Sequence, residues 1–142
     1  MAFLQALEIE PDAPDLLNNL AVAYNQQGQE EKAYALIKEI HERFPDYSIA
    51  RISLAFRMLE EHKIPRAEEL LKPLLSQKHL YFTEYGLFCR SQVYLAFYKE
   101  EVEAAQYWLN MWEHNKPENP EIQDLKSRLA ELQQLQSMMD DL

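Results

Sequence analysis

Apolar residues recur at three- and four-residue steps along almost the whole chain, and no segment alternates with a period of two. That pattern predicts helices and no strands. Leu17, Leu20, Ala21 and Tyr24 place a helix near 14–27, and Ala33, Ile37 and Ile40 place the next near 30–43. Further helices are expected near 48–61, 65–77 and 82–98, then one around Ala105, Leu109 and Trp112. A final helix carries Ile122, Leu125, Leu129, Leu132, Leu135 and Met139 between Glu118 and Met139. The breaks are marked by Pro11, Pro14, Pro45, Pro117 and Pro120, where a missing backbone N–H costs little. Gly28 suits a left-handed turn after the first helix, and Pro65 suits the first turn of its own.

The pattern also repeats. Leu20, Ala21, Tyr24, Ala33, Ile37 and Ile40 are followed 34 residues later by Leu54, Ala55, Met58, Ala67, Leu71 and Leu74. Phe3, Ala6 and Pro11 stand one period before Ile37, Ile40 and Pro45. Ala105 follows Ala67 by 38 residues, which puts about four extra residues in the Gln77–Glu84 connection or the longer helix after it. With Leu17, Leu20, Ala21, Tyr24, Ala33, Ile37 and Pro45 in this order, the segment 14–47 resembles the tetratricopeptide repeat, a helix–turn–helix unit of 34 residues.

The resemblance implies an all-α, right-handed superhelical stack of antiparallel helix hairpins with a C-terminal capping helix. Its divisions would be a trailing half-repeat over 1–11, repeats over 14–47 and 48–81, an irregular repeat over 82–117, and a terminal helix over 118–142. The half-repeat has two readings: the chain continues a longer array, or a lone helix caps its start. The terminal helix likewise either covers the apolar end of the stack or mediates self-association.

In the family the first helix of each repeat lines a concave face. That mapping places Asp15, Asn18, Val22 and Asn25 there from the first repeat, and Ile49, Ile52, Phe56 and Leu59 from the second. Leu87, Arg90, Tyr94 and Phe97 follow from the third. The partner-binding groove is expected at Asn18, Val22, Asn25, Ile52, Phe56, Leu59, Arg90, Tyr94 and Phe97, polar at one end and apolar further along. A branch of the family grips C-terminal carboxylates of chaperone tails with Lys, Asn and Arg. Here the corresponding positions hold Asn18, Val22, Ser53, Leu87 and Ser91, without the cations that grip requires.

The implied function is a protein–protein interaction scaffold whose groove takes a protein or peptide partner through apolar anchors. The same groove could instead be filled from within the chain or belong to the core. A structural module that forms a homodimer through the terminal helix or the groove is the rival reading.

Charge narrows the partners. Fourteen basic and 24 acidic residues give a formal charge of −10, which repels phosphate backbones and anionic lipid, so neither nucleic acid nor membrane is expected. The start, Met1-Ala2-Phe3-Leu4-Gln5, has no basic region before a long apolar one, no apolar run reaches a membrane span, and Cys89 is alone. These point to a cytoplasmic setting.

Chemistry finds little support. His41, His62, His79 and His114 are dispersed, and none stands four residues from another His or Cys. Glu30-Glu31, Glu60-Glu61, Glu68-Glu69 and Glu100-Glu101 are adjacent pairs that diverge in direction on a helix and read as solvated faces. With only Gly28 and Gly86 there is no phosphate-cradling loop. Cys89 reads as a buried small hydrophobe, and Tyr107, Trp108 and Trp112 as a packing stripe. No enzyme, metal or cofactor is expected.

Overall fold

A computed structural model describes residues 13–76, 82–115 and 118–141, and among them are seven α-helices and no strand. They are α1 (Pro14–Gln26), α2 (Glu30–Arg43), α3 (Ser48–Glu60), α4 (Ile64–Leu71), α5 (Phe82–Tyr98), α6 (Val102–Asn115) and α7 (Pro120–Asp140). The half-repeat expected over 1–11 lies outside the described residues, as do His79 and Pro117. No helix among the described residues is long and apolar enough to cross a membrane.

Helices pack in sequential pairs, α1 with α2, α3 with α4, and α5 with α6, and the pairs stack through α2–α3, α3–α5 and α4–α5 contacts. One turn geometry joins the members of every pair. Gly28, His62 and Glu100 sit in the left-handed region at φ values of 78°, 59° and 58°. After each of them an N–H reaches back five residues, from Gln29 to the Tyr24 carbonyl (2.8 Å), Lys63 to Met58 (2.8 Å) and Glu101 to Ala96 (2.9 Å). This is the Schellman closure, which satisfies helix-end carbonyls and favours glycine at the left-handed position.

The carbonyls of Gln29, Lys63 and Glu101 then accept from the N–H groups of Ala33, Ala67 and Ala105, at 3.1, 3.1 and 3.0 Å. Those three alanines are 1%, 0% and 1% exposed. A larger side chain there would hold the paired helices apart, so the smallness of the residue sets their approach.

The fourth helix departs from expectation. A single helix was expected over 65–77, but α4 ends at Leu71 and Lys72–Ser76 continue as a tighter 3-10 turn. Pro73 has no N–H to give the carbonyl four residues back, and its ring crowds that carbonyl. Arg51 braces the segment, donating from Nε to the Pro45 carbonyl at 2.8 Å and from its terminal nitrogen to the Leu70 carbonyl at 3.1 Å.

Two apolar clusters dominate. One joins α3, α4 and α5 through residues such as Leu54, Ala55, Leu71, Leu74 and Phe88. The other joins α5, α6 and α7 through Cys89, Val93, Leu109, Trp112, Ile122, Leu125 and Leu129. A smaller one holds Leu17, Ile40 and Ala50. The aromatic stripe of α6 divides: Trp112 is buried, whereas Tyr107, expected as packing, is 57% exposed and meets the Trp108 ring edge-on at 5.1 Å. Tyr107 therefore faces away from the helix side that carries Ala105, Leu109 and Trp112.

Candidate partner-binding cleft

The first helices of the pairs supply a cleft of about 330 Å³, closed on one flank by α2. Its floor is apolar, with Ile37, Ile52 and Phe56, and its walls carry Asn25, Glu30, Ser53, Arg57, Glu60, Leu87, Arg90 and Ser91. Of the residues expected in a groove, Asn25, Ile52, Phe56 and Arg90 line this cleft together. Asn18 and Val22 stand on α1 outside its lining, with Val22 44% exposed.

Two expected groove residues are core. Ile52 is 4% exposed and Leu59 1%, in the cluster that includes Leu70, Phe88 and Leu95. The helix that carries them, α3, packs against α2, α4 and α5 at once. Only a narrow strip of α3 therefore reaches the surface, and Ile52 serves as the cleft's buried floor while Leu59 does not wall it. Asp15, mapped to the same face, instead accepts a 2.8 Å hydrogen bond from the Tyr47 hydroxyl.

The aromatic end is organised around Arg90. Its guanidinium lies 4.1 Å from the centre of the Phe56 ring and 5.3 Å from that of Tyr94, while the two rings meet edge-to-face at 5.1 Å. The Arg90 Nε donates to both carboxylate oxygens of Glu121, at 2.7 and 3.1 Å, and the Tyr94 hydroxyl donates to Oε2 at 3.4 Å. Burial, and then the Glu121 carboxylate, hold the Tyr94 phenol above its ordinary pKa. Further along, Arg128 of α7 covers Phe97 at 5.7 Å. The first half of α7 thus fills the aromatic end from within the chain. Sequence spacing placed Arg90, Tyr94 and Phe97 on one helix but gave no sign of Glu121 as their partner.

The other cleft arginine is also committed. Arg57 donates to Glu31 and to Glu61, each at 2.9 Å, and stacks 4.4 Å from the Tyr34 ring centre. The hydrogen bond from Arg57 lowers the Glu61 pKa, with Lys63 next in effect. Among the described residues Glu30 and Glu60 have no such ion-pair partner. With both guanidiniums neutralised by the chain's own carboxylates, the open part of the cleft presents carboxylate, amide and hydroxyl groups above an apolar floor.

The sequence matches the family model described as Tetratricopeptide repeat over residues 2–35. That segment is similar to a tetratricopeptide repeat, and the all-α helical pairs agree with such a fold. The match spans one period in shifted phase, so its described part is α1, the Gly28 turn and the start of α2. No solved structure matches the chain. Tetratricopeptide repeats generally mediate protein–protein interaction and are typically non-enzymatic.

Cys89 is fully buried, and desolvation raises its thiol to about 11, against a smaller opposing hydrogen bond with Tyr85. A thiol so placed is held in its protonated form near neutral pH. Burial, then the nearby Arg51 and Arg66 charges, lower the His41 pKa, and its Nδ1 is buried without a partner. Among the described residues no three His, Cys, Asp or Glu side chains converge as a metal site would require.

Proposed function

We propose that the protein is an interaction module whose cleft between α2, α3 and α5 receives a segment of a protein partner. The pairs α1–α2, α3–α4 and α5–α6 act as repeats over 14–47, 48–81 and 82–117, with α7 as the terminal element. The observation that carries the reading is the half-buried Phe56 ring in a cleft of about 330 Å³ whose polar rim side chains, those of Asn25, Ser53, Glu30 and Glu60, have no hydrogen-bond or ion-pair partner among the described residues. An apolar floor under an uncommitted polar rim suits an apolar anchor flanked by hydrogen-bonding or basic groups. The chaperone-tail mode is disfavoured here because Arg57 and Arg90 already hold carboxylates.

A photo-crosslinking side chain at Ser53 tests the site, with one at Glu39 on α2 as the comparison. Capture of a defined partner at Ser53, its absence at Glu39, and loss of that partner in Glu60→Arg are the expected results. Equal capture at both positions, or binding untouched by Glu60→Arg, would refute the cleft as the site.

A further inference from the structure

The terminal helix changes character half-way. Ile122, Leu125 and Leu129 are 0%, 1% and 1% exposed, yet every residue from Ala130 to Asp141 is exposed. The apolar pattern does not stop with the packing. Leu132, Leu135, Met138 and Met139 continue it at 37%, 56%, 60% and 70% exposure. Leu132, Leu135 and Met139 stand at steps of three and four, so they form one stripe on a helix. That stripe extends the row of Glu121, Leu125 and Arg128, the side of α7 that faces the aromatic end of α5.

Its surroundings have one sign. Beside the stripe lies a shallow cleft of about 430 Å³, lined by Glu100, Glu101, Val102, Glu103 and Ala104 of the α5–α6 turn and by Gln136 of α7. Leu132 and Met139 lie one helical turn before and after Gln136, on the same side of the helix. Glu131 and Asp140 lie on the helix itself and Asp141 just past its end, and the sequence has no Lys or Arg from 129 to 142. The nearest cation on the turn, Lys99, is held by Glu68 at 2.8 Å and Glu101 at 3.0 Å.

We infer that the distal half of α7, with the acidic α5–α6 turn, is a second docking surface for a basic amphipathic segment of a protein partner. Its apolar side chains would cover Leu132, Leu135 and Met139, and its lysines or arginines would meet Glu100, Glu103, Asp140 and Asp141. Charge selects this occupant over a second copy. Two copies, each at −10, would bring these carboxylates together with Arg128 as the nearby counter-charge, and Arg128 already covers Phe97. The methionine in the patch, Met139, suits a surface that adapts to its ligand.

The test uses the full chain and two synthetic helical peptides with the same leucine face, one flanked by lysines and one by glutamates. Fluorescence anisotropy should show binding of the lysine peptide, weakened by salt, and none of the glutamate peptide. Leu135→Asn with Met139→Asn should weaken binding at least ~10-fold, and so should Glu100→Gln with Glu103→Gln, while Glu42→Gln with Asp46→Asn at the far end should not. Glu60→Arg in the first cleft should leave this binding unchanged, which separates the two surfaces. Equal loss in the far-end control would mean that net charge alone attracts the peptide, and would overturn the inference. So would sedimentation showing a dimer that Leu135→Asn abolishes.

Discussion

Arg90 on α5 and Glu121 on α7 are joined by two contacts, at 2.7 and 3.1 Å from one guanidinium nitrogen to both carboxylate oxygens. Each side chain is about one-third exposed, so water screens the charge part of the interaction. The pair adds orientation to what burial supplies: it fixes the first turn of α7 beside Arg90 and the Tyr94 hydroxyl of α5.

A double-mutant cycle of Arg90→Met and Glu121→Gln should therefore give a coupling of about 0.5–1 kcal/mol, reduced at high salt. Chemical denaturation of the four proteins measures it. A coupling near zero would show that the pair is incidental to the docking of α7.

The inter-helix turns make an opposed pair of predictions. Gly28→Ala should destabilise by about 1 kcal/mol through its backbone alone, since nothing lies within 4 Å of the added methyl and φ is +78°. Glu100→Gly should stabilise by a comparable ~0.5–1 kcal/mol, because the left-handed conformation is already imposed there on a residue with a side chain. Thermal melts of both variants would show shifts of opposite sign.

Much of this fold was legible in the sequence, and the reason is local. Ala33, Ala67 and Ala105 announce the helix pairs because close approach demands a small residue wherever it occurs. The Pro73 break follows from proline chemistry, though the periodicity of Leu70, Leu71 and Leu74 masks it. The left-handed role of His62 and Glu100 was hidden, since neither residue type favours that region. The site was less legible than the fold. Ile52 and Phe56 share a face of α3 at a four-residue step, but how many neighbours enclose that face is a tertiary matter. The contact of Glu121 with Arg90 depends on how α7 lies across α5, and no spacing within either helix encodes it.

Ala67→Leu should cost about 1–3 kcal/mol by overpacking, as the site is 0% exposed between α3 and α4. Urea denaturation checks the magnitude. A neutral result would mean that the α3–α4 spacing can relax.

Protonation of His41 provides a pH test. Its folded pKa is lowered from 6.5, chiefly by burial, so the unfolded chain takes up the proton first as pH falls. The stability tied to the neutral ring is present above 6.5 and is lost as pH falls through that value toward the folded pKa. His41→Gln should flatten this part of the stability profile. An unchanged slope would assign it to other groups.

Deleting residues 131–142 should leave the melting temperature nearly unchanged, because the described part of that segment is exposed throughout. Deleting residues 119–142 should cause aggregation, since Ile122, Leu125 and Leu129 would no longer cover the α5–α6 pair. Light scattering of the two truncations distinguishes them.

The division of α7 at Leu129 also has a consequence in time. Amides of the first half can exchange with solvent only when a packed face is pulled from α5 and α6. Those of the second half are held by the helix's own ladder alone and open by fraying from the end. One unbroken helix should therefore keep two clocks, slow deuterium uptake before Leu129 and fast uptake after it. Seating a ligand on Leu132, Leu135 and Met139 would slow the second clock and leave the first as it was.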